Sequence, residues 1–384
     1  MSVKRFGLVL GGGGTKGAYH VGVWRALCDM GIEICAVCGT SIGSINAAVI
    51  AQGDADKGFK LWDGISMDNV VETSKLGEVG ENLFDIKNVG TIFENVYKND
   101  GFETEPLRKL LDSIVDEDKI RSSDILYGLV TYSLDKREGE ELFLEDIPKG
   151  KLVDFIMASA AMPGLKKTVI GDKKYVDGAF YDNIPAGMLI KRGITDIITV
   201  DVGGVGIVKD VPKTGINHIN IKCSQNVVGM LDFDEKNIKK ATKLGYYDCL
   251  KSFSRTCGRF YSFNISDYHN SLIKYSSEII LGLEIAAKIY GIDMFKIYKV
   301  NSLVDAVVEK FKRMTQNTKN PIDVQSFLTE IQKLNEKQIL TKITENILNG
   351  KLDATAVKIF SGLAKEQVIA ANSLVYFINL KREC

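Results

Sequence analysis

The chain predicts an α/β fold: a parallel-sheet core with helices on both faces, followed by a helical C-terminal extension. Three observations predict it. Before residue 52, a short apolar run that feeds a glycine-rich turn and then a stretch of helical period occurs twice. Strand-like runs return at 125–132, 141–144 and 197–202, and from about Glu235 the pattern changes to successive amphipathic helices.

Taken in order, residues 5–10 form the first apolar run, and the four glycines that follow break it. Over 16–30, Val21, Trp24, Ala26 and Leu27 fall at near-helical spacing, giving strand, tight loop and helix. Residues 33–38 then lead through Gly39-Thr40-Ser41-Ile42-Gly43 into a small-residue helix over 44–51. Residues 62–103 are polar and weakly periodic, which suits a loop-rich insertion able to cover a site, before a helix over 105–115. A further helix is expected over 152–160, and the run 219–223 is the last of strand character. The boundary of the catalytic region is placed near residue 262, giving regions 1–262 and 263–384. With only 6 prolines and no internal repeat, no extended linker is evident.

Composition narrows the function. Hydrophobic residues at 45% and charged residues at 26% are those of a globular protein, not a disordered one. Lys plus Arg equals Asp plus Glu at 49 each, so no global field draws the chain to nucleic acid or an anionic membrane, and any membrane contact needs a local patch. The N-terminal apolar run is too short for a signal peptide, and no window reaches the ~18 apolar residues of a spanning helix. A cytoplasmic protein, peripheral at most to a membrane, is the expectation. The cysteines are scattered, and the lone Cys35-x-x-Cys38 reads as a buried strand rather than half a zinc site, since no second pair sits at metal spacing. No metal and no cofactor are expected.

The motifs carry the chemistry. Gly39-Thr40-Ser41-Ile42-Gly43 is G-x-S-x-G between a predicted strand and a predicted helix, the context in which a serine is held outward on a sharp turn. The helix after it aims N–H groups at the site. Gly11-Gly12-Gly13-Gly14-Thr15-Lys16-Gly17 offers backbone N–H groups that can converge on an anion. Gly12-x-Gly14-x-x-Gly17 also matches a dinucleotide fingerprint, but the second strand ends in Cys38 and not in the acidic residue that reading needs. Lys16 precedes Gly17, whereas a P-loop wants Gly-Lys-Ser/Thr. Tyr175-Val176-Asp177-Gly178-Ala179, followed by Asn183-Ile184-Pro185, puts a carboxylate at a strand end; alone, it is better read as a plain Asp-Gly turn. Upstream, Ala158-Ser159-Ala160-Ala161-Met162-Pro163-Gly164 reads as a small-residue helix stopped by Pro-Gly.

In this order the four motifs resemble the patatin-like phospholipases, over roughly residues 5–260. The resemblance implies a parallel-sheet α/β core, acyl-ester hydrolysis on phospholipids and related lipids, and a Ser-Asp dyad without histidine. It implies Ser41 as nucleophile, Asp177 as base, and the backbone N–H groups around Gly12, Gly13 and Gly14 as the oxyanion hole. Lys16 stands where the family carries Arg or Lys, and Ala179 where Gly is commoner. The competing reading is a non-catalytic lipid-binding or regulatory protein on the same fold.

Histidine usage bears on the mechanism separately. His20 lies on the first helix, His218 in a polar segment before a strand and His269 in the helical tail, and none follows a late core strand as a hydrolase triad would require. An unperturbed Asp, with a pKa near ~3.9, is a weak base, so Asp177 needs burial or a close hydroxyl to act. The tail helices expected over 303–314 and 357–377 could pack on the core, form a dimer surface or touch a membrane, and packing is preferred.

Overall fold

The computed structural model describes residues 5–72, 102–316, 333–352 and 362–383. It divides into two compact units, Met1–Ser252 and Phe253–Cys384. Most of the insertion read at 62–103 lies outside the described residues.

The first unit is built on a mixed sheet of order β5-β6-β3-β2-β1-β7-β8, with β4 also paired to β3. Its centre is β1 (Arg5–Leu10), β2 (Glu33–Thr40), β7 (Asp196–Asp201) and β8 (Asn217–Lys222), all parallel. The near-continuous burial of β1 is that of a strand covered on both faces. Beyond β3 (Leu126–Ser133) the mostly parallel sheet turns antiparallel: β4 (Glu138–Phe143), β5 (Thr168–Ile170) and β6 (Lys173–Asp177) run antiparallel to their partners. For β3–β4 and β5–β6 the connections explain it, since they are tight turns too short for the crossover that a parallel pair needs.

Helix α1 (Ala18–Asp29) is buried nearly all round, because the helix Glu235–Ser252 crosses it backbone to backbone. A Cβ on Gly22 would lie 1.8 Å from the Thr242 carbonyl oxygen, and one on Gly245 would lie 2.1 Å from that of Tyr19. Glycine at both positions is what permits the crossing. Helix α2 (Ile42–Ala51) follows β2, and the helix Leu152–Ser159 packs on β3 and β6.

The second unit is helical, around Ser277–Tyr290, Val300–Gln316, Glu336–Leu348 and Lys365–Glu383, with a two-residue parallel ribbon of β9 (Ser262–Phe263) and β10 (Ile297–Tyr298). Tyr261 and Phe263 are fully buried in this second core. Packing divides the chain after Ser252. Among the described residues, no helix is long and apolar enough to cross a membrane.

Candidate active site

Ser41 stands between β2 and α2 with φ 56° and ψ −128°. A non-glycine residue held there stores on the order of 1–3 kcal/mol of strain, which persists only where the surroundings over-determine it. They do. A Cβ on Gly43 would lie 2.1 Å from the Leu10 carbonyl oxygen, and one on Gly39 2.4 Å from the Gly43 backbone, so the turn closes only with glycines on both sides. The Ser44 N–H and hydroxyl both donate to the Ser41 carbonyl, at 2.8 and 2.7 Å. The Ser41 N–H donates to Ser159 Oγ at 3.0 Å.

β3 acts as the template that brings the carboxylate to this turn. β4 occupies one edge of β3 along residues 128–133; on the other, β2 pairs as far as Thr40 opposite Val130. β6 takes up that edge at the next residue, with Asp177 opposite Thr131. The strand carrying Asp177 therefore runs head-on toward the strand that ends in Ser41. The Asp177 N–H donates to the Ala161 carbonyl at 3.0 Å, which fixes the backbone at this position.

The Asp177 side chain is 4% exposed. It accepts the Ala179 N–H at 2.8 Å, and the Ser41 side chain lies near it. Burial pushes its pKa up to about 6, against the smaller downward pull of the Ala179 N–H and the Ser41 side chain. A buried carboxylate with a raised pKa, beside a hydroxyl on a strained turn, can accept a proton near neutral pH.

The glycine loop approaches from the β1 side. A Cβ on Gly12 would lie 3.1 Å from the Ser41 Cβ. The three candidate oxyanion glycines differ, however. The Gly12 N–H is already taken up by Asn183, whose carbonyl and Oδ1 accept it at 3.2 and 3.1 Å. The Asn183 Nδ2 donates back to the Gly12 carbonyl. Gly13 and Gly14 donate no such loop hydrogen bond among the described residues. Thr15 anchors the loop through its N–H to the Met230 carbonyl at 2.8 Å and its hydroxyl to Gly229 at 2.6 Å. Lys16 Nζ donates to the Gly203 carbonyl at 2.9 Å.

Sequence reading missed the parts of three residues. Ser159 and Ala161 were visible only as a small-residue helix end, yet they hold the backbones of Ser41 and Asp177. Asn183 was noted beside the carboxylate motif, but its partner lies far upstream. The motif signals were present, and the partners were not.

Among the described residues, no histidine is bonded to Ser41 or Asp177. His20 is buried with Nδ1 3.1 Å from Asn46 Nδ2, and burial lowers its pKa to about 3. His218 meets Thr199 Oγ1 at 2.7 Å, and His269 lies on the helix Ile265–Lys274 of the second unit. Cys38 is a buried thiol on β2, and Cys35 donates weakly to the Phe6 carbonyl, as strand residues would. No group of three metal-ligating side chains occurs among the described residues. A cavity of about 510 Å³ lined by residues 112–118, Lys149 and Gly150 shares no residue with this site.

The family model for patatin-like phospholipase matches residues 8–190. A lysophospholipase (NTE1) of Candida albicans is 28% identical over 208 residues, 53% of this chain and 14% of the relative. A patatin-like phospholipase domain-containing protein of Caenorhabditis elegans is 26% identical over 208 residues, 52% of this chain and 14% of its own length. The chain thus spans only a small part of the curated relatives it matches. The crystal structure of VipD from Legionella pneumophila aligns over 97% of this chain and 91% of that one, with a TM-score of 0.42 and 16% identity.

Proposed function

Residues 8–190 carry a patatin-like phospholipase domain, and from that premise we propose that the protein is a lipid acyl hydrolase of phospholipase A or lysophospholipase type, working through a Ser41–Asp177 dyad. The observation that carries this reading is the register on β3, where the strand leading into Ser41 and the strand ending in the buried Asp177 meet at adjacent residues, Val130 and Thr131. The unit Met1–Ser252 is taken as the catalytic domain. The six described cysteines are free thiols, which supports a reducing, cytoplasmic setting.

In the proposed reaction, Ser41 Oγ attacks the acyl carbonyl carbon of the ester as its proton passes to the Asp177 carboxylate. The oxygen of the tetrahedral adduct gains negative charge and is met by the N–H groups of Gly13 and Gly14 and by the N-terminal end of α2. Gly12 has a different part: held by Asn183, it fixes the loop at close approach to Ser41. When the adduct collapses, the C–O bond to the alcohol breaks and Asp177 returns the proton to the leaving oxygen. Water then attacks the acyl-Ser41 ester, losing its proton to Asp177, and release of the fatty acid restores the serine.

Labelling of the folded protein with a fluorophosphonate, followed by peptide mapping, tests the reading. A single adduct on Ser41, absent from Ser41→Ala, is expected. Folded protein that takes up no label would overturn the hydrolase and favour a non-catalytic lipid-binding protein.

A further inference from the structure

The chain leaving β7 does not fall away from the site; it turns back over it. The Ile207 N–H donates to the Ala179 carbonyl at 2.9 Å, and the Ile207 carbonyl accepts the Asn183 N–H at 2.6 Å. A Cβ on Gly204 would lie 1.9 Å from the Gly12 carbonyl oxygen, and one on Gly206 would lie 2.8 Å from the Ala179 Cβ. The strap therefore touches both the glycine loop and the residues just after Asp177.

Its side chains turn the other way. Val205 is 80% exposed and Ile207 and Val208 are 55% exposed each, while Phe180, next to Ala179, is 50% exposed. Single exposed apolar residues are ordinary, but this is a cluster on a loop whose backbone is pinned, at the rim of the site. Lys209 and Lys213 follow directly, both exposed, with Asp210 between them. Lys209 lies over the Tyr181 ring, which holds its charge at the base of the apolar tip.

We propose that Val205, Ile207 and Val208, with Phe180, form the surface by which the protein docks on a lipid–water interface. The proposal rests on the lipid-hydrolase reading above. Apolar tips suit the acyl boundary and flanking lysines the headgroup layer, so the order of residues matches the order of layers. Continuity with the site favours lipid over a protein partner. A protein seated on this strap would cover the approach to Ser41, whereas a bilayer seated there presents the ester to it.

The test uses the full chain, a Val205→Asp/Val208→Asp double variant and vesicles of phosphatidylcholine and phosphatidylglycerol. Flotation measures partitioning, and turnover is followed on vesicle lipid and on a water-soluble short-chain ester. The variant is expected to lose at least about tenfold in partitioning, since two exposed valines are lost from the interface. Vesicle turnover falls in step, and soluble-ester turnover stays within about twofold. Val205→Trp guards against misfolding and is expected to raise partitioning. Unchanged partitioning in both variants overturns the proposal, as does a wild-type dimer that the aspartates dissociate, which would assign the strap to a second copy. If the wild type hydrolyses neither substrate, the hydrolase reading fails while flotation still decides the docking surface.

Discussion

Two buried carboxylates, one in each unit, are provisioned in opposite ways. Glu284, 1% exposed in the helix Ser277–Tyr290, receives three successive backbone N–H groups, from Arg259, Phe260 and Tyr261, at 2.5 to 3.1 Å. Asp177 is about equally buried but accepts only one backbone N–H among the described residues, from Ala179. Water lost by a buried carboxylate must be replaced by donors, or the charged form becomes costly. Glu284 is compensated by the chain it caps. Asp177 is left with fewer donors, and burial holds its pKa up. The two carboxylates thus differ less in burial than in how fully the backbone answers them.

The largest effect should come from removing the under-served charge. Asp177→Asn keeps size and the Ala179 contact but removes the basic lone pair, so kcat is expected to fall by roughly 10⁴ with the protein folded. Steady-state kinetics on a soluble ester, with circular dichroism as the control, checks it; retention of activity within tenfold would break the comparison. Glu284→Gln is the converse experiment. Three N–H groups lose a charged acceptor, and an amide group is turned toward them, for a loss of about 3 kcal/mol in denaturant unfolding. Turnover of the folded fraction is expected to stay at the wild-type level, and a Glu284→Gln protein of full stability would show that the donors are not what holds that carboxylate.

The smallest effect sharpens the contrast by its sign. The folded pKa of Asp177, about 6, lies above its unfolded value of ~3.9. Its neutral form therefore suits the fold, with a stabilising contribution fully present below pH ~3.9 and lost as pH rises through about 6. Asp177→Asn should then be more stable than wild type at pH 8, by about 3 kcal/mol, with the difference vanishing below pH ~4. Thermal unfolding at the two pH values measures it, and equal stabilities at pH 8 would mean that the site does not strain its base.

Much of this was legible in the sequence for definite reasons. Gly39 and Gly43 announce the turn because only glycine fits against the Leu10 carbonyl, and the parallel strands announce themselves by apolar runs too short to be helices. What could not be read was pairing. Nothing local says that β6 takes up the edge of β3 where β2 leaves it, or that the Gly12 N–H is claimed by Asn183. Glu284 was invisible as well, since its partners are backbone groups more than twenty residues upstream that carry no residue signature.

The head-on meeting of β2 and β6 along one edge of β3 also bears on the order in which the protein assembles. The parallel strands β1, β2 and β7 can form their ladders without β6, and Ser41 already sits at its turn when they have. Asp177 arrives only when the β5–β6 hairpin zips onto the last three residues of β3, through pairs at Thr131, Tyr132 and Ser133. That contact is short, lies at the sheet margin and joins residues far apart in the chain, features that favour late formation and local opening. Opening of that hairpin alone would separate Asp177 from Ser41 while the parallel core remained intact, so that heat or denaturant would part the proposed dyad before the domain melts.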